Sequence, residues 1–356
     1  MRILTALATA TVMATGAHAD IFLPEGDAGS VLHLSDDLAE IGRIEGLENP
    51  HGLALAPSRG LLVVGSLAER ESPEGSRMEM DMDSGMDISG DMDMTTDMEQ
   101  PEGMSDAEHD AHHAGGEAKT GAVSIVTLVG AADHRVQAEI EVSGMVHHVE
   151  VDAAERFAVV THPGLGGVSV IDLEDNSVRG PIATGPQPEY AVFDPDRDAF
   201  LVSNAGNATI SVVDPERGIV LSNIPLDAGP KHLDRTAGGT VAAALADAGA
   251  VALLNGGAAE RIEIGGRLHG VQVAEDAVWV AATERDVVVR IDRATGERLE
   301  MSPGAEPYHI ALDGDALLVS SSAGADLWRL DRDTLETLSH VEAAGVVHQI
   351  RVADAG

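Results

Sequence analysis

The sequence contains no cysteine. Disulfides, thiolate metal sites, iron–sulfur clusters and c-type haem attachment are therefore excluded, and any bound metal must be held by histidine, carboxylate or thioether. Aromatic residues are almost as scarce. Two Trp, two Tyr and four Phe among 356 residues leave a core to be built from Val, Leu, Ile and Ala. Cations are outnumbered, with 22 Lys and Arg against 60 Asp and Glu, for a formal net charge of −38. Such a chain repels nucleic acid phosphates and gathers cations around itself. No stretch beyond the N-terminus has the roughly 20 apolar residues of a membrane-spanning helix, so no membrane insertion is expected.

The one sustained apolar run near the start has the layout of a signal peptide. Arg2 supplies the positive region, Ile3 to Met13 the apolar region, and Ala17-His18-Ala19 a small-residue cleavage site. Residues 1–19 are expected to be removed after Ala19, leaving a periplasmic chain that starts at Asp20. Because no Cys follows the site, no lipid can be attached there.

What the chain does have is a repeat. A short β run follows a turn at His51-Gly-Leu-Ala-Leu, His147-His148-Val-Glu-Val, Glu189-Tyr190-Ala-Val-Phe and Lys231-His232-Leu-Asp. It recurs at His269-Gly-Val-Gln-Val, Tyr308-His309-Ile-Ala-Leu and His348-Gln-Ile-Arg-Val. From 147 onward the starts lie 42, 42, 38, 39 and 40 residues apart, and the first gap of 96 implies an insertion. Each unit continues with a second apolar run, a small polar loop, a third run ending in Asp (Val168 to Asp172, for example) and a weaker fourth. Four β-branched runs per roughly 40 residues, without a 3.6-residue period, define a propeller blade.

Seven starts predict an all-β, seven-bladed β-propeller over residues 20–356. The last unit has only its first strand, His348 to Val352, before the chain stops. Its other strands must come from Ile21 to Leu23, Val31 to Leu34 and Ile41 to Ile44, which closes the ring with both ends of the chain and removes an open sheet edge. The Pro50-His-Gly-Leu53 and Val170-Ile-Asp172 segments resemble the YVTN/NHL-type propeller repeat. That resemblance implies the fold and leaves the function open.

The insertion, residues 68–120, interrupts blade 1. Glu69 to Lys119 carries sixteen acidic and three basic residues and eight methionines (78, 80, 82, 86, 92, 94, 98 and 104), and includes His109, His112 and His113. So little apolar surface and so much charge predict a segment unable to fold alone, with a metal-collecting composition.

Geometry adds a second set of candidate ligands. In a blade the innermost strand starts at one face of the disc, and the loop between strands two and three returns to that face. The insertion and His162 both belong to such loops, so they are expected at the channel mouth with the strand starts His51, His147, His148, Glu189, His232, His269, His309 and His348. Six of the seven blades place a histidine at one of their two starting positions. Imidazoles with a carboxylate suit tetrahedral Zn²⁺ at about 2.0–2.2 Å. The set chosen from sequence is His148, His162 and His309 with His232 or Glu189 nearby, and His51, His147, His269 and His348 form the alternative. Binding is expected to weaken as pH falls through about 6.5, where an ordinary imidazole takes a proton.

The combination resembles the AztD family of periplasmic zinc chaperones, on the evidence of His109, His112 and His113 in the insertion and the histidines at the mouth. The resemblance implies a monomeric, non-enzymatic carrier that passes zinc to the solute-binding protein of an ABC importer. The methionines depart from it, since thioethers favour Cu(I). A copper carrier is one alternative. A metal-dependent hydrolase or lactonase is another, with Glu189 or Asp286 as base, although no nucleophile motif is present.

Overall fold

A computed structural model describes residues 20–71, 121–256 and 259–353. The proposed signal peptide and all of the insertion from residue 72, including His109, His112 and His113, lie outside the described residues. Seven antiparallel sheets form the seven blades of an all-β propeller.

Blade 2 shows the local logic. Its strands Val149–Val151, Phe157–His162, Gly167–Asp172 and Val178–Ala183 run from the centre outward. The second strand is buried throughout and the third nearly so, because neighbouring blades cover both faces, whereas the fourth is largely exposed at the rim. Continuous apolar runs followed by a polar run are the consequence in sequence. The core lies between blades rather than inside them. Ala54, Val63, Val126 and Val142 of blade 1 pack on Val149, Ala158, Val160 and Ile171 of blade 2 in one buried cluster. Aliphatic side chains fill this seam, and the few aromatics serve others: Phe157 and Phe200 between blades 2 and 3, Trp279 and Trp328 between blades 5 and 6.

In blades 2 to 5 the corner between strands two and three is a 3₁₀ turn: Pro163–Leu165, Ala205–Asn207, Ala246–Ala248 and Thr283–Arg285. Each ends on a left-handed residue, which is glycine at 166 and 249. In blade 1 this corner is where residues 67–121 depart and return, between Leu61–Ser66 and Ala122–Gly130. A two-residue strand, Arg70–Glu71, pairs with Val123 and Ala122.

Blade 7 closes the ring as the sequence predicts. Its innermost strand is Arg351–Ala353, followed outward by Asp20–Glu25, Ser30–Leu34 and Glu40–Glu45. Ile21 pairs with Val352 and Phe22 with Arg351. No helix among the described residues is long and apolar enough to cross a membrane.

Candidate metal centre

The seven inner strands start at one face and align residue by residue. The first position of each holds His51, His147, Glu189, Lys231, His269, Tyr308 and His348, and the second holds Gly52, His148, Tyr190, His232, Gly270, His309 and Gln349. Glycine occupies the second position twice, and close packing explains both. A Cβ on Gly270 would stand 2.6 Å from the Tyr308 carbonyl oxygen and 2.9 Å from the Ile310 nitrogen. A Cβ on Gly52 would stand 2.9 Å from Val149 N and 3.0 Å from His147 O. At these two places an inner strand leans on the backbone of the next blade, and the preceding histidine moves with it.

The lean at Gly270 brings His269 into contact with two second-position histidines. Ring centroids lie 4.4 Å apart for His232 and His269, 4.8 Å for His269 and His309, and 4.7 Å for His232 and His309. One nitrogen from each lies within 4.8 Å of the others, and all three residues are buried. Among the described residues this is the group of three whose donor atoms converge so closely. Tyr308 stacks on His269 with centroids 3.5 Å apart, and the Tyr190 ring lies tilted against His232 at 4.3 Å. Nε2 of His232 is buried with no hydrogen-bond partner among the described residues. Burial, helped by positive charge from His147, Lys231 and Arg351, pushes the His232 imidazole down to about 3. Desolvation disfavours the imidazolium, so the ring is kept neutral with its lone pair available. Three imidazoles fit a borderline-soft divalent ion and leave a fourth position for water or an incoming ligand.

The inner-strand starts of blades 1, 2, 3 and 7 hold a second group. Nδ1–H of His51 donates to the His147 carbonyl at 2.7 Å, and Nδ1–H of His147 donates to the Glu189 carbonyl at 2.9 Å. The Glu189 carboxylate lies 3.6 Å from His147 Nδ1, and His348 stacks on His51 with centroids 4.4 Å apart. Burial raises the Glu189 carboxyl, against the pull of His147 and Lys231.

Two members of the sequence-chosen set are engaged elsewhere. His162, at the end of the second strand of blade 2, is fully buried. Its Nδ1 bonds the Met145 carbonyl and its Nε2 the Ser169 hydroxyl, both at 2.9 Å. Burial pushes it down to about 4. Ala191 N lies 3.2 Å from Nδ1 of His148, and Gln349 Nε2 lies 2.8 Å from its Nε2. His148, His162 and His309 are therefore not brought together, whereas His309 joins His232 and His269. The signal that would have selected His269 is the glycine after it, which marks where the inner strand leans. Asp286, considered as a base, caps a loop by accepting from Glu306 N at 2.8 Å.

One layer deeper, Arg351 crosses between three blades. It donates to Leu53 O at 2.7 Å and to the Glu150 carboxylate at 2.6 Å, with Val149 O at 3.2 Å. Sequence reading missed this residue, whose partners are some 200 and 300 positions away.

No protein-family model matches the chain, and no curated protein matches it in sequence. Similar solved structures include the periplasmic gluconolactonase PpgL of Pseudomonas aeruginosa, 16% identical over 95% of this chain and 100% of that one, with a TM-score of 0.65. A protein from Lactobacillus plantarum is 13% identical over 95% of this chain and 100% of its own, with a TM-score of 0.69. The dihydro-heme d1 dehydrogenase NirN is 16% identical over 97% of this chain and 77% of its own, with a TM-score of 0.59. At these identities the likeness establishes the fold alone. The molecule is a seven-bladed β-propeller with a buried triad of histidines able to hold a metal ion.

Proposed function

We propose that the protein is a periplasmic zinc metallochaperone that holds Zn²⁺ at His232, His269 and His309 and delivers it to the solute-binding protein of an ABC zinc importer. The observation that carries this reading is the convergence of three buried imidazoles, one of them held neutral down to about pH 3. A site of nitrogens only suits reversible custody of an ion. The partner supplies the incoming ligand, and the fourth coordination position receives it. The acidic composition of the chain, the insertion included, raises the local concentration of zinc. On this reading the protein is a monomer, is not an enzyme, and binds neither nucleic acid nor membrane.

The test is metal analysis of protein isolated from the periplasm, followed by transfer of bound zinc to a purified zinc solute-binding protein. Zinc in the isolated protein and faster transfer than from a zinc–chelator complex of equal affinity support the reading. Copper in its place, lost when the eight insertion methionines become Leu, would replace it with copper carriage. Zinc-dependent lactone hydrolysis would replace it with the hydrolase.

A further inference from the structure

We infer that Tyr190 and Tyr308, the two tyrosines of the chain, are positioning residues that bracket the histidine triad and hold its imidazoles at the spacing a tetrahedral ion needs. The inference rests on reading the triad as a metal site.

Their placement is the starting observation. With only two Trp, two Tyr and four Phe in 356 residues, the chain puts both tyrosines at inner-strand starts, one in blade 3 and one in blade 6. Each then lies against the triad. Tyr308 stacks on His269 with ring centroids 3.5 Å apart and planes 15° from parallel, and it meets His309 edge-on at 4.8 Å and 82°. Tyr190 lies against His232 at 4.3 Å and 33°. Every member of the triad therefore touches a tyrosine ring.

The tyrosines are themselves fixed. The Tyr308 carbonyl accepts from Gly270 N–H at 2.9 Å, so the residue that receives the leaning inner strand of blade 5 also supports the imidazole that strand carries. Tyr190 N–H donates to Ser203 Oγ at 2.9 Å. The Tyr190 ring also lies 3.5 Å from that of His148, which Ala191 N and Gln349 hold in place. A row of contacts thus runs from Gln349 through His148 and Tyr190 to His232. The torsion that turns an imidazole about its Cβ–Cγ bond has a broad minimum, so an unsupported ring swings easily. A flat ring packed on it narrows that swing. Donors held by packing before the ion arrives lose less freedom on binding it and impose their own geometry.

Imposed geometry is how such a site chooses among divalent ions. Zn²⁺ has no directional preference of its own and accepts a tetrahedron, whereas Ni²⁺ seeks tetragonal or square-planar donors. Three imidazoles that cannot spread suit the first and resist the second. Removing a ring that braces them lets them move apart, so zinc should be held less tightly while nickel loses less. A tyrosine that only fills space would, when removed, change both affinities by the same factor, because loss of folded protein scales every affinity alike.

The experiment uses the full chain with His109, His112 and His113 changed to Ala, so that the insertion contributes no imidazole. Zn²⁺ and Ni²⁺ affinities are measured by chelator competition in this parent and in Tyr308→Leu, Tyr308→Phe, Tyr190→Leu and Tyr190→Phe, with thermal unfolding of each apo-protein. The Leu variants keep an apolar side chain without a flat face. They should bind zinc about tenfold more weakly, as for loss of a group that supports a metal ligand, and their zinc-to-nickel affinity ratio should fall. The Phe variants keep the ring and should match the parent. The ratio is read within one protein and does not depend on the folded fraction, so a Leu variant of lowered stability still decides the matter. If one Leu variant does not fold, the other, on a different blade, carries the test. Leu variants with the parent's ratio would overturn this inference while leaving the proposed function intact. Phe variants that lose as much as the Leu variants would also overturn it, since the hydroxyl rather than the ring would then be acting. A parent whose zinc binding His232→Ala leaves unchanged holds no ion at the triad, which would overturn the proposed function and this inference together.

Discussion

The side-chain amide nitrogen of Gln349 lies 2.8 Å from Nε2 of His148, two residues 201 positions apart in sequence. Gln349 Oε1 accepts from Leu53 N–H at 2.7 Å, which turns its NH₂ group toward the imidazole. One amide thus ties blade 7 to blades 1 and 2, and the histidine it contacts is a fastening of the ring.

Removing that amide tests the fastening role. Gln349→Ala leaves the buried Leu53 N–H and His148 Nε2 without this partner and is expected to cost about 1–3 kcal/mol of stability. Zinc stoichiometry should not change, because the triad draws on blades 4, 5 and 6. Chemical denaturation and a zinc titration of the same preparation check both halves.

His162 should behave in the same way. Its two hydrogen bonds and complete burial predict that His162→Ala destabilises the fold by about 2–4 kcal/mol, combining a cavity with two unsatisfied polar groups. Tight zinc binding should persist in whatever fraction remains folded. Loss of the ion from a natively folded variant, as judged by circular dichroism, would restore His162 as a ligand.

Acid should unfold the protein in a defined window. The folded state keeps His162 neutral down to about pH 4, whereas an unfolded imidazole takes a proton near 6.5. The unfolded state therefore binds the extra proton below 6.5, and stability falls from there to about pH 4, by about 3 kcal/mol from this residue alone. His232, pushed down to about 3, adds a loss of the same sign. His162→Gln can keep both hydrogen bonds and cannot titrate, so its stability between pH 6.5 and 4 should decline less steeply than the parent's. Parallel declines would remove His162 from the explanation.

Ligand loss and backbone strain should be separable at the triad. His232→Ala removes a donor and is expected to weaken zinc binding by more than the 10–100-fold typical of losing a supporting hydrogen bond. Gly270→Ala instead drives a Cβ to 2.6 Å from the Tyr308 carbonyl oxygen. It should cost about 1–3 kcal/mol of stability and also weaken zinc binding, since His269 can no longer hold its place. Calorimetry with thermal unfolding of the apo-proteins distinguishes the two. His232→Ala should leave apo stability close to the parent's or raise it, by removing a buried imidazole.

Much of the architecture was legible without coordinates. The spacing of the inner strands set the blade count, and the single strand left after Tyr308's unit required blade 7 to borrow Ile21 to Ile44. These features are local. A strand covered on both faces needs a continuous aliphatic run, a rim strand does not, and a tight corner needs a residue that accepts the left-handed conformation. The strand starts also placed the candidate ligands at one face, because direction along a blade follows from strand order.

Which histidines meet could be decided only by the tertiary structure. His148, His232 and His309 occupy the same repeat position, yet Gln349 reaches the first while Gly270 brings His269 to the other two. The equivalence is a property of one blade, and the difference arises from what the adjoining blades place beside it. Sequence therefore determined the ring, its closure and the pool of imidazoles. Inter-blade packing selected three of them, because donors within 4.8 Å of one another are set by how closely backbones approach, and glycine permits that approach in only two places among the seven starts.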